Sequence, residues 1–205
     1  MAGKITTWWN NYREKQKKKS LFSQIMDYVS IVLIILLLIP TTRMKLKEWV
    51  SRVTMTAPKT KDIEKRKQLE TTDLTWQVVT YEGERISLEE LTDEVIFLNF
   101  WATWCPPCVA EMPEIQALYD EYKNDVAFLF VSNETQQKVN TFLQNNGYSI
   151  PVVQPASAPP DALAASSIPT TYIIDKNQRI ALAKTGAAKW SSPKFTRLLD
   201  ELIGE

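Results

Sequence analysis

The residues that can do chemistry sit in one run, Trp104-Cys105-Pro106-Pro107-Cys108, in a chain of 205 residues that has two cysteines and no histidine. Without histidine the commonest general base and the usual zinc or haem ligand are missing, and so is any Ser-His-Asp arrangement. A lone cysteine pair cannot complete a four-ligand zinc site, so neither a metal nor a cofactor is expected. What the pair can do is alternate between a dithiol and an internal disulfide. A CxxC that follows a strand and opens a helix puts the first sulfur outward, near the positive end of the helix dipole, and the second one turn inside. Cys105 is then the attacking thiolate and Cys108 the resolving thiol, leaving the two joined and the partner reduced. Proline suits both intervening positions, because first-turn amides have no intrahelical partner. Pro106 and Pro107 also give the Cys105 sulfur no N–H, which holds the thiolate less firmly and makes the pair more reducing.

Those sulfurs need a scaffold, and the hydrophobic pattern describes one. Val95 to Ala102 is a nearly continuous apolar run around Asn99, the signature of a strand buried on both faces. Pro107 to Lys123 has helical spacing in Met112, Ile115, Leu118 and Tyr119, with Pro113 expected to kink it. Val126 to Ser132 is a second buried strand, and Gln136 to Asn145 a helix ended by Gly147. Thr171 to Asp175 and Arg179 to Lys184 flank Lys176-Asn177-Gln178 as an antiparallel hairpin, and Pro193 to Ile203 is a closing amphipathic helix. Leu74 to Tyr81 reads as a strand and Leu88 to Leu91 as a short helical turn. Together they predict an α/β fold with a mixed central sheet.

The segment Phe97-Leu98-Asn99-Phe100-Trp101-Ala102-Thr103-Trp104-Cys105-Pro106-Pro107-Cys108 resembles the active-site segment of the TlpA/ResA-like (DsbE-like) branch of the thioredoxin superfamily. The likeness extends through Glu111-Met112-Pro113 and Ile168-Pro169-Thr170-Thr171-Tyr172-Ile173-Ile174-Asp175, over roughly residues 72–205. It implies a thioredoxin-like three-layer fold and a membrane-anchored thiol-disulfide oxidoreductase of the protein-disulfide reductase type, with Cys105 and Cys108 as its redox disulfide. By the same resemblance Pro169 is a cis-proline against the CxxC that presents the Ile168 backbone to a polypeptide. Trp104, Pro106 and Pro107 complete the expected substrate-binding set. Glu111, one helical turn beyond Cys108, is expected to adjust proton transfer at the thiols. Asn99 departs from thioredoxin, which has an aspartate there; an amide exchanges no proton near neutral pH, so that task is lost or passes to Glu111. The implied partners are a protein thiol or disulfide, with apocytochrome c and cytochrome c maturation as candidates, and a membrane electron donor of the DsbD/CcdA type. A thiol peroxidase and a non-catalytic metal-handling or adaptor module are the competing readings.

The zero net charge hides a division, since residues 1–67 carry 15 Lys and Arg against 5 Asp and Glu while the remainder carries 9 against 19. A basic N-terminal part beside an apolar run fits a membrane surface, and an acidic remainder argues against nucleic acid. The expected organisation is a basic cytoplasmic N-terminus over 1–21, a transmembrane helix over 22–39, a juxtamembrane stalk over 40–71 and the thioredoxin-like domain over 72–205. Pro40-Thr41-Thr42-Arg43 offers no small-x-small cleavage site, which favours a retained anchor over a cleaved signal peptide. The cluster Arg13, Lys15, Lys17, Lys18 and Lys19 ahead of the span outweighs Arg43, Lys45, Lys47 and Arg52 after it. The expected location is therefore the bacterial inner membrane, single-pass, with the C-terminal domain in the periplasm or extracytoplasmic space.

Overall fold

The computed structural model describes residues 21–58 and 66–205. The basic cluster within residues 1–20 and stalk residues 59–65 lie outside the described residues. The chain divides into two units, with the break after Leu46.

Helix α1, Leu21–Leu38, is apolar around most of its surface, with Phe22, Ile25, Val32, Leu33 and Ile34 all exposed. Pro40 opens a second helix, α2, Pro40–Thr54. Proline has no N–H to continue α1 and its ring favours a helix start, which explains a break at this point. Among the described residues no single helix is long and apolar enough to cross a membrane; Leu21–Leu36 and Pro40–Thr54, bent by 91°, reach that length and composition only together. The first part of the expected stalk is thus the helix α2.

The larger unit is built on eight strands: β1 (Lys67–Gln68), β2 (Gln77–Thr80), β3 (Arg85–Ser87), β4 (Val95–Phe100), β5 (Val126–Val131), β6 (Val152–Pro155), β7 (Thr170–Ile174) and β8 (Arg179–Thr185). Their order across the sheet is β1-β8-β7-β4-β5-β6-β2-β3. β4 pairs parallel with β5 and antiparallel with β7, so the sheet is mixed and β4 lies in its interior, as its apolar run requires. β6 pairs parallel with β5 beyond it, and β7 antiparallel with β8. The sheet starts before residue 72, because β1 pairs with β8 and Arg66 is buried in an ion cluster with Asp175 (2.8 Å) and Glu205 (3.1 Å).

Side chains alternate across the sheet with period two, and the two cores follow that rule. Val95 and Phe97 face a core shared with helices α4 (Pro106–Tyr122), α5 (Gln136–Asn146) and α6 (Pro193–Gly204); Ile96, Leu98 and Phe100 face the other. That second core is closed by the short helix α3 (Thr71–Leu74) and by single helical turns at Leu88–Leu91 and Asp161–Leu163. The expected three layers are therefore a layer of helices, the sheet, and a thinner layer of turns. Phe97 anchors the helical side, its ring 5.2 Å from Trp190 and 5.3 Å from Phe128. Truncating such a side chain to alanine costs about 3–5 kcal/mol. Gly147 ends α5 at φ +71°, a left-handed conformation where a side chain would be strained. Thr56, two residues beyond α2, forms a parallel bridge with Ala188 and accepts the N–H of Lys189 (3.1 Å).

Candidate active site

Parity along β4 sets the polar centre of the site. Asn99 shares a face with Val95 and Phe97, which points its amide at α4 rather than at the layer of turns. α4 begins where β4 and a short loop end, with Cys105 as N-cap and Pro106 and Pro107 in the first turn. Its helix runs through Pro113 to Tyr122, so Cys108 and Glu111 fall one turn apart on the buried face.

Cys105 and Cys108 are joined as a disulfide. The Cys108 N–H donates to the Cys105 sulfur (3.3 Å), and the Val109 N–H to the Cys105 carbonyl (3.0 Å). Pro106 and Pro107 donate nothing, so Cys108 itself supplies the backbone donor that the prolines lack. Contrary to the outward position expected for the first sulfur, Cys105 is only 3% exposed and Cys108 fully buried. The backbone at Ile168 lies over it, its carbonyl oxygen 3.7 Å from the Cys105 sulfur. The Ile168–Pro169 bond is cis, as the resemblance implies. Pro106, Pro107 and Ile168 are half-buried, whereas Trp104 is 58% exposed beside the pair. Trp101 is buried against Phe142 (5.7 Å), a packing residue.

Glu111 is fully buried and accepts three hydrogen bonds. Its Oε2 accepts the Ala188 N–H (3.1 Å) and the Trp190 indole N–H (3.0 Å), and its Oε1 the Asn99 amide (3.2 Å). Burial pushes its carboxyl up to about 7, against the opposing pull of these donors and of the Lys184 charge. Asn99 also donates to the Thr171 hydroxyl (2.8 Å), while its own buried Oδ1 has no partner. Rotating that amide exchanges O for N and gives a protonated Glu111 an acceptor, so Asn99 can serve either charge state of the acid.

The structure thus brings Cys105, Cys108, Trp104, Ile168 and Pro169 together, with Glu111 one helical turn beyond Cys108. Sequence reasoning missed Ala188 and Trp190, which come from the connection between β8 and α6. An isolated tryptophan in Lys189-Trp190-Ser191-Ser192 was the available signal, since an aromatic with an N–H to satisfy rarely sits in a polar connection without an anchor role. It also missed Glu134, whose carboxylate accepts both the N–H (2.6 Å) and the hydroxyl (2.9 Å) of Thr103, two residues before Cys105. A groove of ≈ 340 Å³ opens beside the sulfurs, lined among others by Phe100, Trp104, Glu134, Pro159 and Ile168.

Comparison with known proteins points the same way. The model of the AhpC/TSA family matches residues 66–183. The protein named thiol-disulfide oxidoreductase ResA of Halalkalibacterium halodurans is 41% identical over 108 residues, 51% of this chain and 61% of that protein. The ResA of Bacillus subtilis is 34% identical over 107 residues, 51% of this chain and 60% of its own length. The chain spans less than two thirds of these relatives. Among solved structures, a candidate thiol-disulfide oxidoreductase from Bacteroides vulgatus superposes with a TM-score of 0.52 at 28% identity, over 62% of this chain and 90% of that one. The fold is thioredoxin-like.

Proposed function

Since the chain belongs to the AhpC/TSA family and carries a CxxC disulfide at a helix N-terminus, we propose that it is a thiol-disulfide oxidoreductase that reduces protein disulfides. The observation that carries this reading is the Ile168 carbonyl 3.7 Å from the Cys105 sulfur, a backbone acceptor at the point where a polypeptide would lie. In the dithiol form the Cys105 thiolate attacks one sulfur of the substrate disulfide. An S–S bond forms between the two proteins, and the other substrate sulfur leaves as a thiolate that takes a proton. Cys108, once deprotonated, attacks the Cys105 sulfur, breaks the mixed disulfide and releases the second substrate thiolate. Two electrons have passed to the substrate and the internal disulfide is restored. Glu111 is assigned the proton transfer, a reading supported by its position one turn from Cys108 and its titration near 7.

We place residues 22–39 in the bacterial inner membrane as a single-pass anchor, followed by a connection that ends before Arg66, with the sulfur-bearing domain on the extracytoplasmic face. The apolar surface of α1 and the basic run before it support this. Resemblance to the TlpA/ResA branch makes apocytochrome c a candidate substrate and a DsbD/CcdA-type protein a candidate donor. The deciding assay is reduction of insulin by the full chain with dithiothreitol. Turnover is expected to survive chelators and to vanish in Cys105→Ser. A chain that consumes peroxide faster than it reduces insulin would instead be a thiol peroxidase.

A further inference from the structure

Glu134 has no part in the electron transfer just described, yet it is one of the most constrained side chains near the sulfurs. It follows β5 by three residues and leads into α5, and its side chain is 9% exposed. Its backbone is fixed on three sides: the N–H donates to the Ser132 hydroxyl (3.3 Å), and the carbonyl accepts the Tyr81 hydroxyl (3.1 Å) and the Gln154 amide (3.0 Å). From that base the carboxylate reaches across to take both donors of Thr103, with Lys138 pairing at its outer side. Burial opposes its charge, but Lys138 and the two Thr103 donors outweigh it and hold the carboxyl below its ordinary range, so Glu134 is anionic at neutral pH.

The loop between β4 and α4 has few other holds. The Trp101 N–H donates to the Val131 carbonyl and the Cys105 N–H to the Ala102 carbonyl. Cys105 is further fixed by the first turn of α4. Between these two ends Thr103 is held by Glu134, and Trp104 follows it. Both Trp104 and Glu134 line the groove beside the disulfide, so the position of the exposed indole depends on a carboxylate delivered from the connection that follows β5.

We propose that Glu134 is a positioning residue: by gripping Thr103 it fixes Trp104, and with it the wall of the groove against which a polypeptide disulfide is presented to Cys105. This rests on the reductase reading above and adds the residue that orients the substrate-facing loop. The sulfur itself is anchored by α4, so loss of the grip affects the meeting with a polypeptide and leaves the exchange chemistry in place.

The full chain, reduced beforehand, is therefore compared on insulin and on a small aromatic disulfide that needs no groove. Glu134→Ala is expected to lower the insulin rate by about tenfold, as misplacement of a contact surface does. The small-disulfide rate and the midpoint potential stay at the wild-type level. Thr103→Val, which keeps the backbone N–H and deletes only the hydroxyl, gives a smaller loss with the same selectivity and covers the case in which Glu134→Ala fails to fold. Lys138→Met, which leaves the Thr103 bonds intact, retains the insulin rate. Equal losses on both substrates, or no loss in either variant, overturn the proposal. A wild-type chain that reduces neither substrate overturns the reductase reading and this inference with it.

Discussion

The indole N–H of Trp190 donates to the Oε2 of Glu111 across 3.0 Å, with both side chains fully buried. The ring is caged by Phe97 (5.2 Å) and Phe195 (5.0 Å), so Trp190→Phe keeps an aromatic in place and removes only the donor and part of the volume. A donor favours the charged form of a carboxylate, and a hydrogen bond to a charged group contributes about 1.5–3 kcal/mol. Glu111 should therefore move above about 7 by roughly one to two units. The pH profile of thiol titration in the dithiol form reports it. An unchanged midpoint, or an equal change in a Glu111→Gln background, removes Trp190 from control of the acid.

The raised Glu111 carboxyl also sets a slope of stability with pH. The folded protein holds this proton to about 7, whereas the ordinary carboxyl releases it at 4.5. Stability from this group is fully present below 4.5 and is lost as pH rises to about 7, a change of about 3 kcal/mol from the size of the shift. Urea unfolding of the disulfide form, whose sulfurs do not titrate, should show that decline for wild type and a flatter line for Glu111→Gln. A difference between the two that stays constant from pH 4.5 to 8 contradicts the assignment.

Cys105 receives one backbone donor, the Cys108 N–H at 3.3 Å, and none from the prolines. Replacing Pro107 with histidine adds a donor, and a cation when protonated, next to the thiolate. Stabilising the reduced form shifts the potential upward by roughly 30 mV per 1.4 kcal/mol, so Pro107→His should be more oxidising than wild type. Equilibration with glutathione measures it; a shift in the opposite direction would show that the prolines do not set the reducing character.

Removing the resolving sulfur should strand the reaction halfway. Cys108→Ala is expected to accumulate a mixed disulfide through Cys105 with its partner, visible on non-reducing gels and lost in the Cys105→Ser, Cys108→Ala double variant. Identification of the captured protein tests the cytochrome c reading directly. Recovery of only membrane thiol-transfer proteins, with no apocytochrome, would turn the assignment of substrate elsewhere.

The sheet was legible wherever one strand met both cores. Val95 to Phe100 announces itself because every side chain is buried, and the Asp175–Arg179 hairpin because turn residues separate two apolar runs. β6 was not legible: Pro151 precedes it and Pro155 ends it, and proline within a short run argues against a strand. α2 and β1 were hidden for a different reason. Their sequences are polar, β1 is exposed on both residues, and only its pairing with β8 makes it a strand. At the site, the sulfurs and Glu111 follow from spacing along one helix. Trp190, Ala188 and Glu134 approach from distant segments, and no local pattern encodes which donor will find which carboxylate.

Thr56 holds Lys189, and Lys189 stands between the two residues, Ala188 and Trp190, whose N–H groups hold Glu111. Mechanical load applied to the chain just beyond α2 is therefore borne by the same backbone segment that fixes the acid. A displacement of Thr56 that carried residues 188–190 with it would lengthen those two bonds and weaken the acid, because its anion would lose donors.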